Sequence, residues 1–206
     1  MAISIIPIDN DTMVSDAANL HAEIFSAYLN SRFGKRYIKS YINWFVHTKE
    51  ALAIAAVDDE RCIVGYALGV SSKHGHKMHR ALRWVVACSL ILRPWILCDK
   101  RFWQEARSRI EPLARSVKTG DRNDLPQPSM ALVSIGVHSS HRRESVGLRL
   151  METFEQIATG RKTQSLYAWV FEDNISARRL YEKCGWQPCA DSLSTRGSLK
   201  YFKLID

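Results

Sequence analysis

The 206-residue sequence predicts one α/β (α+β) domain, residues 1–206, with a mixed, mostly antiparallel sheet of about six or seven strands flanked by helices. Short apolar runs with β-branched residues alternate with longer segments whose apolar residues recur at helical spacing. The runs 51–57 and 62–70 are separated only by polar residues, as in a β-hairpin. The stretch 131–186 has the order strand, basic turn, helix, strand, helix. A basic segment, 73–128, is inserted between the third and fourth strands and is expected to be helical.

The composition predicts a folded protein in a reducing compartment. Apolar residues make up 46% of the chain, which is enough for a sizeable core. The cysteines are odd in number, widely spaced and without a C-x-x-C pair, so we expect free thiols and a cytoplasmic location. Residues 1–8 lack the basic start of a secretory signal, and acidic residues follow at once.

The positive charge is concentrated in one segment. The net charge is +8, and residues 73–118 hold eleven Lys/Arg against three Asp/Glu, a local net of +8. The remaining residues hold eighteen Lys/Arg and eighteen Asp/Glu, so their charges cancel. The excess charge is therefore a property of this segment, and it favours anionic partners there.

The N-terminal part predicts a strand followed by two helices. Residues 3–8 are apolar and end at a polar cluster, where Asp11 or Thr12 is expected to cap a helix running to about residue 29. Residues 30–34 break it, and a second helix follows. With the hairpin after it, the order is β-α-α-β-β.

The inserted segment begins with three histidines, His74, His76 and His79. Their spacing suggests metal ligands, but no cysteine or carboxylate accompanies them closely, so we expect a solvated basic turn and no metal site. A second helix at 99–117 and a polar linker at 118–128 complete the predicted insertion.

The apolar run 84–92 within this insertion has three interpretations. It is too short to span a bilayer, which takes about 20 apolar residues, and Arg93-Pro94 ends it. The simplest interpretation is a helix that is buried against the domain or in a homodimer interface. A helix lying in a membrane interface is favoured by the surrounding Lys, Arg and Trp residues. A nucleic-acid site fits the charge, but no nucleic-acid-binding motif occurs, so we expect no such partner.

Residues 139–145 form a basic turn that carries Arg142 and Arg143 and leads into a helix ending near Gly160. The first amides of a helix lack intrahelical acceptors, and the helix dipole there favours negative charge. Such a helix start is suited to a phosphate or pyrophosphate group. Asn174 then stands at the N-cap position of the last helix.

Two motifs in this stretch resemble those of the GCN5-related N-acetyltransferase (GNAT) superfamily. Residues 174–186, NISARRLYEKCGW, resemble the closing motif N-x-x-A-x-x-L-Y-x-x-x-G-F/W. Residues 142–147, RRESVG, resemble the pyrophosphate loop Q/R-x-x-G-x-G/A, with Ser145 in place of the first glycine. Serine keeps the amide donor but crowds a phosphate where glycine would allow close approach.

The resemblance implies acetyl transfer from acetyl-CoA to an amine by direct attack. The strand backbone would pair with the pantetheine, and the turn would bind the pyrophosphate. The implied cofactor-binding set is Ile135, Gly136, Val137, Arg142, Arg143, Ser145, Val146, Gly147 and Asn174. Alternatively, the two arginines belong to a solvated basic turn that binds no ligand. Asn174 could likewise serve only as the N-cap of its helix.

Tyr181 is the implied catalytic residue. A tyrosine has a pKa near 10 and is protonated at pH 7, so it can donate a proton to the departing thiolate. The alternative is a tyrosine that only packs on the inner face of the helix. No general base is evident, and Glu172, Asp173, His138 and His141 are the candidates.

The acceptor is less clearly indicated. In the family the first two helices wall the acceptor site, which makes Tyr37, Tyr41 and Trp44 candidate contacts, with core packing as the alternative. Family members that acetylate protein N-termini often carry a glutamate five residues before the motif asparagine, where this chain has Trp169. This departure disfavours a peptide N-terminus as the acceptor.

We therefore expect an N-acetyltransferase that acts on a small-molecule amine. An amino sugar on a nucleotide or lipid carrier is the specific expectation, because the basic, Trp-rich insertion suits an anionic or membrane-bound carrier. Peripheral membrane contact through 73–118 would accompany a cytoplasmic location. The alternatives are a non-catalytic acyl-CoA-binding sensor or scaffold, and a lysine or N-terminal protein acetyltransferase.

Overall fold

Two apolar runs of the sequence form central strands of the sheet. Strand β2 (Ala51–Val57) is buried along its whole length, and β3 (Ile63–Ser71) is buried except at its two end residues. Strands covered on both faces are continuously apolar, because no position points a side chain into solvent. The two strands form an antiparallel hairpin in which Ala51 lies opposite Val70.

The computed structural model describes residues 2–26, 29–98, 103, 125–189 and 197–205, with 29, 30, 76 and 79 described through their backbone. The other strands are β1 (Ser4–Pro7), β4 (Ser129–Val137), β5 (Ser165–Phe171), β6 (Gln187–Pro188) and β7 (Ser198–Leu204). They complete a seven-stranded sheet with the order β1-β2-β3-β4-β5-β7-β6. Every neighbouring pair is antiparallel except β4 and β5. The predicted mixed, mostly antiparallel sheet is confirmed.

Helices cover both faces of the sheet. They are α1 (Asp11–Ile24), α2 (Leu29–Arg32), α3 (Lys35–His47), α4 (Gly75–Leu92), α5 (Val146–Gly160) and α6 (Ile175–Lys183). Buried residues of α1, α3 and α4 form one core with β2 and β3. Buried residues of α5 and α6 form a second core on the opposite face, so the sheet separates the two groups of helices.

The N-terminal helices differ in detail from the prediction. Asn10, and neither Asp11 nor Thr12, caps α1: its side-chain oxygen accepts the Met13 N–H at 2.9 Å. Asparagine is as good an N-cap as aspartate, so the local pattern did not separate them. Helix α1 ends at Ile24, earlier than predicted, and the short α2 occupies part of the predicted break.

The inserted segment also differs from the prediction at its start. Residues 73–79 were expected to form a turn, but α4 begins at Gly75 and continues without interruption to Leu92. Leu82 and Ser89 lie buried on its inner side, and α4 packs against α3. This tertiary packing overrides the weak helix propensity of the glycine and histidines. A 3₁₀ turn, Pro94–Cys98, follows the predicted stop.

Several expected features lie outside the described residues. These are the predicted helix 99–117, apart from Trp103, and the first part of the linker 118–128. Within the described part of the chain, no helix is long and apolar enough to cross a bilayer. The same part contains no group of three or more His, Cys, Asp or Glu residues arranged to hold a metal ion.

Candidate active site

The site begins where two parallel strands separate. Strands β4 and β5 are paired from Ser129 to Leu132, and no pair joins them beyond that point. The register between β3 and β4 shifts at the same place: Leu68 lies opposite Ser134 and Gly69 opposite Leu132, so Val133 forms a bulge. A bulge bends its strand and increases the local twist. The C-terminal half of β4 therefore has an unpaired edge on its β5 side.

A cleft of about 670 Å³ occupies this region. Its wall includes residues 135–137 of β4, the turn and first residues of α5, and the start of α6. The end of α1 contributes Ile24 and Phe25. A Cβ on Gly136 would lie 3.1 Å from Ile24 Cδ1 and 3.3 Å from Phe25 Cε2, so glycine allows α1 to approach the strand at this point.

The basic turn has a backbone conformation unusual for its residues. Arg143 and Ser145 have φ angles of 83° and 59°, the left-handed region that normally favours glycine. Ser145 is the N-cap of α5 but its side chain makes no capping hydrogen bond. The first amide to bond into the helix is that of Arg149, which donates to the Ser145 carbonyl. The amides of the preceding residues form the typical anion-binding start of a helix.

The first turn of α5 packs closely on α6. A Cβ at Gly147 would lie 3.3 Å from Leu180 Cδ2 and 3.8 Å from Val137 Cγ2. Asn174 caps α6, and its Oδ1 accepts the Ala177 N–H at 3.1 Å. The N-cap interpretation is thus confirmed, and Asn174 also lines the cleft.

The cleft wall carries more positive than negative charge. Arg142, Arg143 and Lys183 line it together with a single carboxylate from the described residues, that of Asp173. The two arginines are solvent-exposed, as the basic-turn alternative also requires. This balance favours an anionic ligand.

Tyr181 does not line the cleft. Its ring is 5% exposed and belongs to the core on the α5 side, stacked on Trp186 with ring centroids 5.5 Å apart. Tyr201 lies at the same centroid distance. Burial raises the pKa of the Tyr181 phenol above its ordinary value of 10, so it stays protonated at neutral pH. It can therefore act only as a proton donor, and its catalytic role stays a prediction.

A chain of hydrogen-bonded polar side chains, two of them buried, lies beneath the cleft. His21 Nδ1 and Tyr66 Oη share a hydrogen bond of 2.6 Å, and Tyr66 Oη and Ser134 Oγ share one of 3.0 Å. His21 is 4% exposed, and its Nε2 has no hydrogen-bond partner among the described residues. Burial lowers the pKa of His21 to about 4, so the imidazole is neutral at pH 7. The Tyr66 ring lies under Gly136, 3.4 Å from where its Cβ would be.

The four candidate bases occupy different surroundings. His138 Nε2 lies 3.1 Å from a carboxylate oxygen of Glu23, and His141 Nδ1 lies 3.0 Å from one of Glu144. His141 and Asp173 line the cleft, whereas Glu172 does not.

The three aromatic residues of α3 behave as core residues. Tyr37 and Tyr41 are buried, Trp44 is half-buried, and none of them lines the cleft. Tyr41 packs against His21 with ring centroids 5.8 Å apart. The structure therefore supports the packing alternative for this helix.

Every residue of the predicted cofactor-binding set lines the cleft, namely Ile135, Gly136, Val137, Arg142, Arg143, Ser145, Val146, Gly147 and Asn174. The sequence interpretation missed Leu180 and Lys183, although they follow Asn174 and Ala177 at intervals of three and so share their helix face. It also missed His21, Tyr66 and Ser134, which no local pattern connects.

Comparison with protein-family models matches residues 16–186 to the acetyltransferase (GNAT) family. Comparison with curated protein sequences finds no significant match.

Solved structures with the same fold include acetyltransferases with different acceptors. The polyamine N-acetyltransferase of Drosophila melanogaster, which forms N-acetylagmatine, is 13% identical with a TM-score of 0.66, covering 99% of this chain and 100% of that one. The PaiA N-acetyltransferase of Thermoplasma acidophilum, in complex with coenzyme A, is 10% identical with a TM-score of 0.62 and full coverage of both chains. The ribosomal-protein-S18-alanine N-acetyltransferase of Escherichia coli is 11% identical with a TM-score of 0.59, covering 100% and 95%. At these identities the likeness shows the fold.

Proposed function

The chain belongs to the acetyltransferase (GNAT) family, whose donor is acetyl-CoA, and on that premise we propose that it acetylates the primary amine of a small molecule by direct attack. The observation that carries this proposal is the cleft between β4 and α6. It combines an unpaired strand edge with a helix start and two arginines, which are the groups that coenzyme A requires.

The donor would lie along β4 with its pyrophosphate at the start of α5. The backbone of residues 135–137 has no partner on β5, so it is available to pair with the amides of the pantetheine. The amides of Ser145 to Gly147 would donate to the pyrophosphate, and Arg142 and Arg143 would add charge-assisted hydrogen bonds. The thioester would then lie near the bulge at Val133, where β4 and β5 begin to separate.

In the transfer step the amine nitrogen attacks the thioester carbonyl, and the C–S bond breaks after the tetrahedral intermediate forms. We assign the proton for the departing thiolate to Tyr181 from its position in the family motif, and its buried phenol is protonated at neutral pH. The attacking nitrogen loses a proton. An acceptor amine of low pKa would lose it to water, and Asp173 is the carboxylate that lines the cleft.

We propose an amino sugar on a nucleotide or lipid diphosphate carrier as the acceptor. The carrier's phosphates would be attracted by the positive cleft wall, and the amine of an amino sugar has a low pKa. Spermidine and agmatine, which are cationic, would be repelled. The test is a coenzyme A release assay on amino-sugar nucleotides, free amino sugars, polyamines and peptides. A rate with polyamines that exceeds the rate with amino-sugar nucleotides would overturn this assignment.

An N-terminal protein acetyltransferase is disfavoured by one residue. Trp169 is solvent-exposed on β5, at the position where the family's N-terminal acetyltransferases often carry a glutamate. A peptide bearing a free N-terminus should therefore release coenzyme A more slowly than the preferred small amine.

The second candidate function is acyl-CoA binding without catalysis. It is favoured by the position of Tyr181 outside the cleft wall and by Ser145 in the pyrophosphate loop. Isothermal titration with acetyl-CoA and turnover assays separate the two functions. Tight binding with no release of coenzyme A against any amine class would select the sensor or scaffold. A cytoplasmic location is our proposal for either function, and none of the five cysteines forms a disulfide in the structure.

A further inference from the structure

The outer side of α4 and the 3₁₀ turn carries a ridge of exposed apolar side chains. This ridge comprises Trp84, Ile91, Leu92, Trp95 and Leu97. Trp84, Ile91 and Trp95 are 69%, 78% and 64% exposed, and the α4 residues among them recur at helical spacing on one side. The opposite side of α4 is buried against α3. Tryptophan and aliphatic residues exposed in one contiguous group mark an interaction surface.

The helix that carries most of the ridge and the helix packed against it contain no acidic residue. Neither residues 24–49, which include α2 and α3, nor residues 61–98, which include β3 and α4, contain Asp or Glu. The first stretch has five Lys/Arg and the second has six. The exposed cations on these helices are Lys35, Arg36, Lys39, Lys77, Arg80 and Arg83. Because α3 packs directly against α4, the cations of both helices lie in the same layer as the ridge.

Two hollows adjoin the ridge and share Arg93. One, of about 250 Å³, is lined by apolar side chains including Trp84 and Leu92, with Arg36 at its edge. The other, of about 360 Å³, lies between Arg32, Arg93, Trp95 and Ile96. Hollows that combine apolar walls with guanidinium groups suit amphiphiles with an anionic head.

Arg93 is held in place between these hollows. Its Nη1 donates a hydrogen bond to the Arg32 carbonyl oxygen at 3.0 Å. Its guanidinium also lies over Gly34, where φ is +91° and a Cβ would come within 2.1 Å of Nη1. The absence of a side chain at Gly34 is therefore what allows this arginine to lie there.

We propose that the ridge and its surrounding cations dock this protein on the surface of a bilayer that contains anionic lipids. The Trp and aliphatic side chains would enter the interface between headgroups and acyl chains, and the cations would neutralise lipid phosphates. This inference concerns a surface separate from the cleft and stands independently of the proposed acceptor.

The chemistry of the surface favours a bilayer over the other occupants. Trp84 and Trp95 could stack on bases, but Ile91, Leu92 and Leu97 are aliphatic and break the row of aromatic rings on which successive bases of a single strand stack. In a two-fold dimer formed through the ridge, the same patch would face itself. Its basic surroundings would then meet like charge, which opposes association.

The test uses the full chain and sucrose-loaded vesicles in a co-sedimentation assay. We expect binding to an equal mixture of phosphatidylcholine and phosphatidylglycerol, weak binding to phosphatidylcholine alone, and release as salt rises. Arg80→Glu should weaken partitioning by about tenfold or more, because each cation contributes substantially near an anionic surface. Trp84→Ser should weaken it at both low and high salt.

Matched variants elsewhere on the surface provide the controls. Arg179→Glu changes an exposed arginine of α6, and Trp169→Ser changes an exposed tryptophan of β5; both should bind vesicles like the wild type. Circular dichroism checks that each variant folds. Equal binding to neutral vesicles, or controls that lose binding as strongly as the α4 variants, would overturn the proposal. A protein that forms dimers in sedimentation velocity and does not bind vesicles would also overturn it. The same holds if the protein binds RNA and this binding is abolished by Arg80→Glu but unaffected by Trp84→Ser.

Discussion

Replacing Ser145 by glycine should strengthen coenzyme A binding. Ser145 has a φ of 59° at the start of α5, where the amides that receive the pyrophosphate are located. Holding an L-residue in this left-handed conformation costs about 1–2 kcal/mol. Glycine removes that cost, but it also makes the unfolded chain more flexible, which offsets about 0.4–1 kcal/mol. The expected net change is therefore a gain of between zero and about 1.6 kcal/mol in the free energy of unfolding.

Lys162 provides a matched control for this substitution. It has nearly the same φ, 57°, but it follows the far end of α5 and does not line the cleft. Lys162→Gly should therefore change the melting temperature about as much as Ser145→Gly, by about 2–4 °C per kcal/mol for a chain of this size.

The two variants should differ in their affinity for coenzyme A. Only Ser145→Gly removes a side chain beside the phosphates, and we expect it to lower the Kd about fivefold, equivalent to about 1 kcal/mol. Isothermal titration measures this directly. If Ser145→Gly weakens binding while Lys162→Gly leaves it unchanged, the hydroxyl contributes to the site and the crowding argument is wrong.

Three further predictions concern the site and the core beneath it. Tyr181→Phe should lower kcat by about a hundredfold or more while the Kd for coenzyme A stays within error, as measured by steady-state kinetics and titration; an unchanged kcat would remove Tyr181 from the mechanism. Arg142→Ala should raise the Kd for coenzyme A by about tenfold and reduce its salt dependence, because a charge-assisted hydrogen bond is lost. His21, with a folded pKa of about 4 against 6.5 unfolded, should make the free energy of unfolding fall by about 3 kcal/mol as pH drops from 6.5 to 4, since the unfolded chain binds the proton first. Urea titrations at several pH values test this, and His21→Leu should lose that part of the pH dependence.

Local signals predicted the donor half of the site. The apolar run that ends at Val137, the basic turn and the N-cap at Asn174 are each encoded within a few neighbouring residues, and each contributes residues to the cleft wall. The position of Tyr181 was not predictable in the same way. Helical spacing places it two turns from Asn174, but its burial depends on Trp186 and Tyr201, which are positioned by the tertiary fold.

Long-range pairs account for most of what the sequence did not reveal. His21 and Tyr66 are 45 residues apart, and Tyr66 and Ser134 are 68 apart, so their hydrogen bonds exist only because α1 lies across β3 and β4. The start of α4 is a similar case. Gly75 and the nearby histidines predict a turn locally, whereas the packing of Leu82 on α3 extends the helix back to Gly75.

Packed helices connect the cleft with the surface that carries the ridge. Helix α1, whose end lines the cleft, packs against α3, and α3 packs against α4. A polyamine acceptor would need carboxylates to hold its cationic groups, yet the stretch from Ile24 to Lys49 has none, and Asp173 is the carboxylate that the described residues place in the cleft wall. A carrier that brings its own phosphates would instead be attracted by Arg142, Arg143 and Lys183 of the cleft wall. The cations that the bilayer proposal requires lie on α3 and α4, outside the cleft, so reversing Arg80 should weaken vesicle binding without altering the affinity of the cleft for coenzyme A.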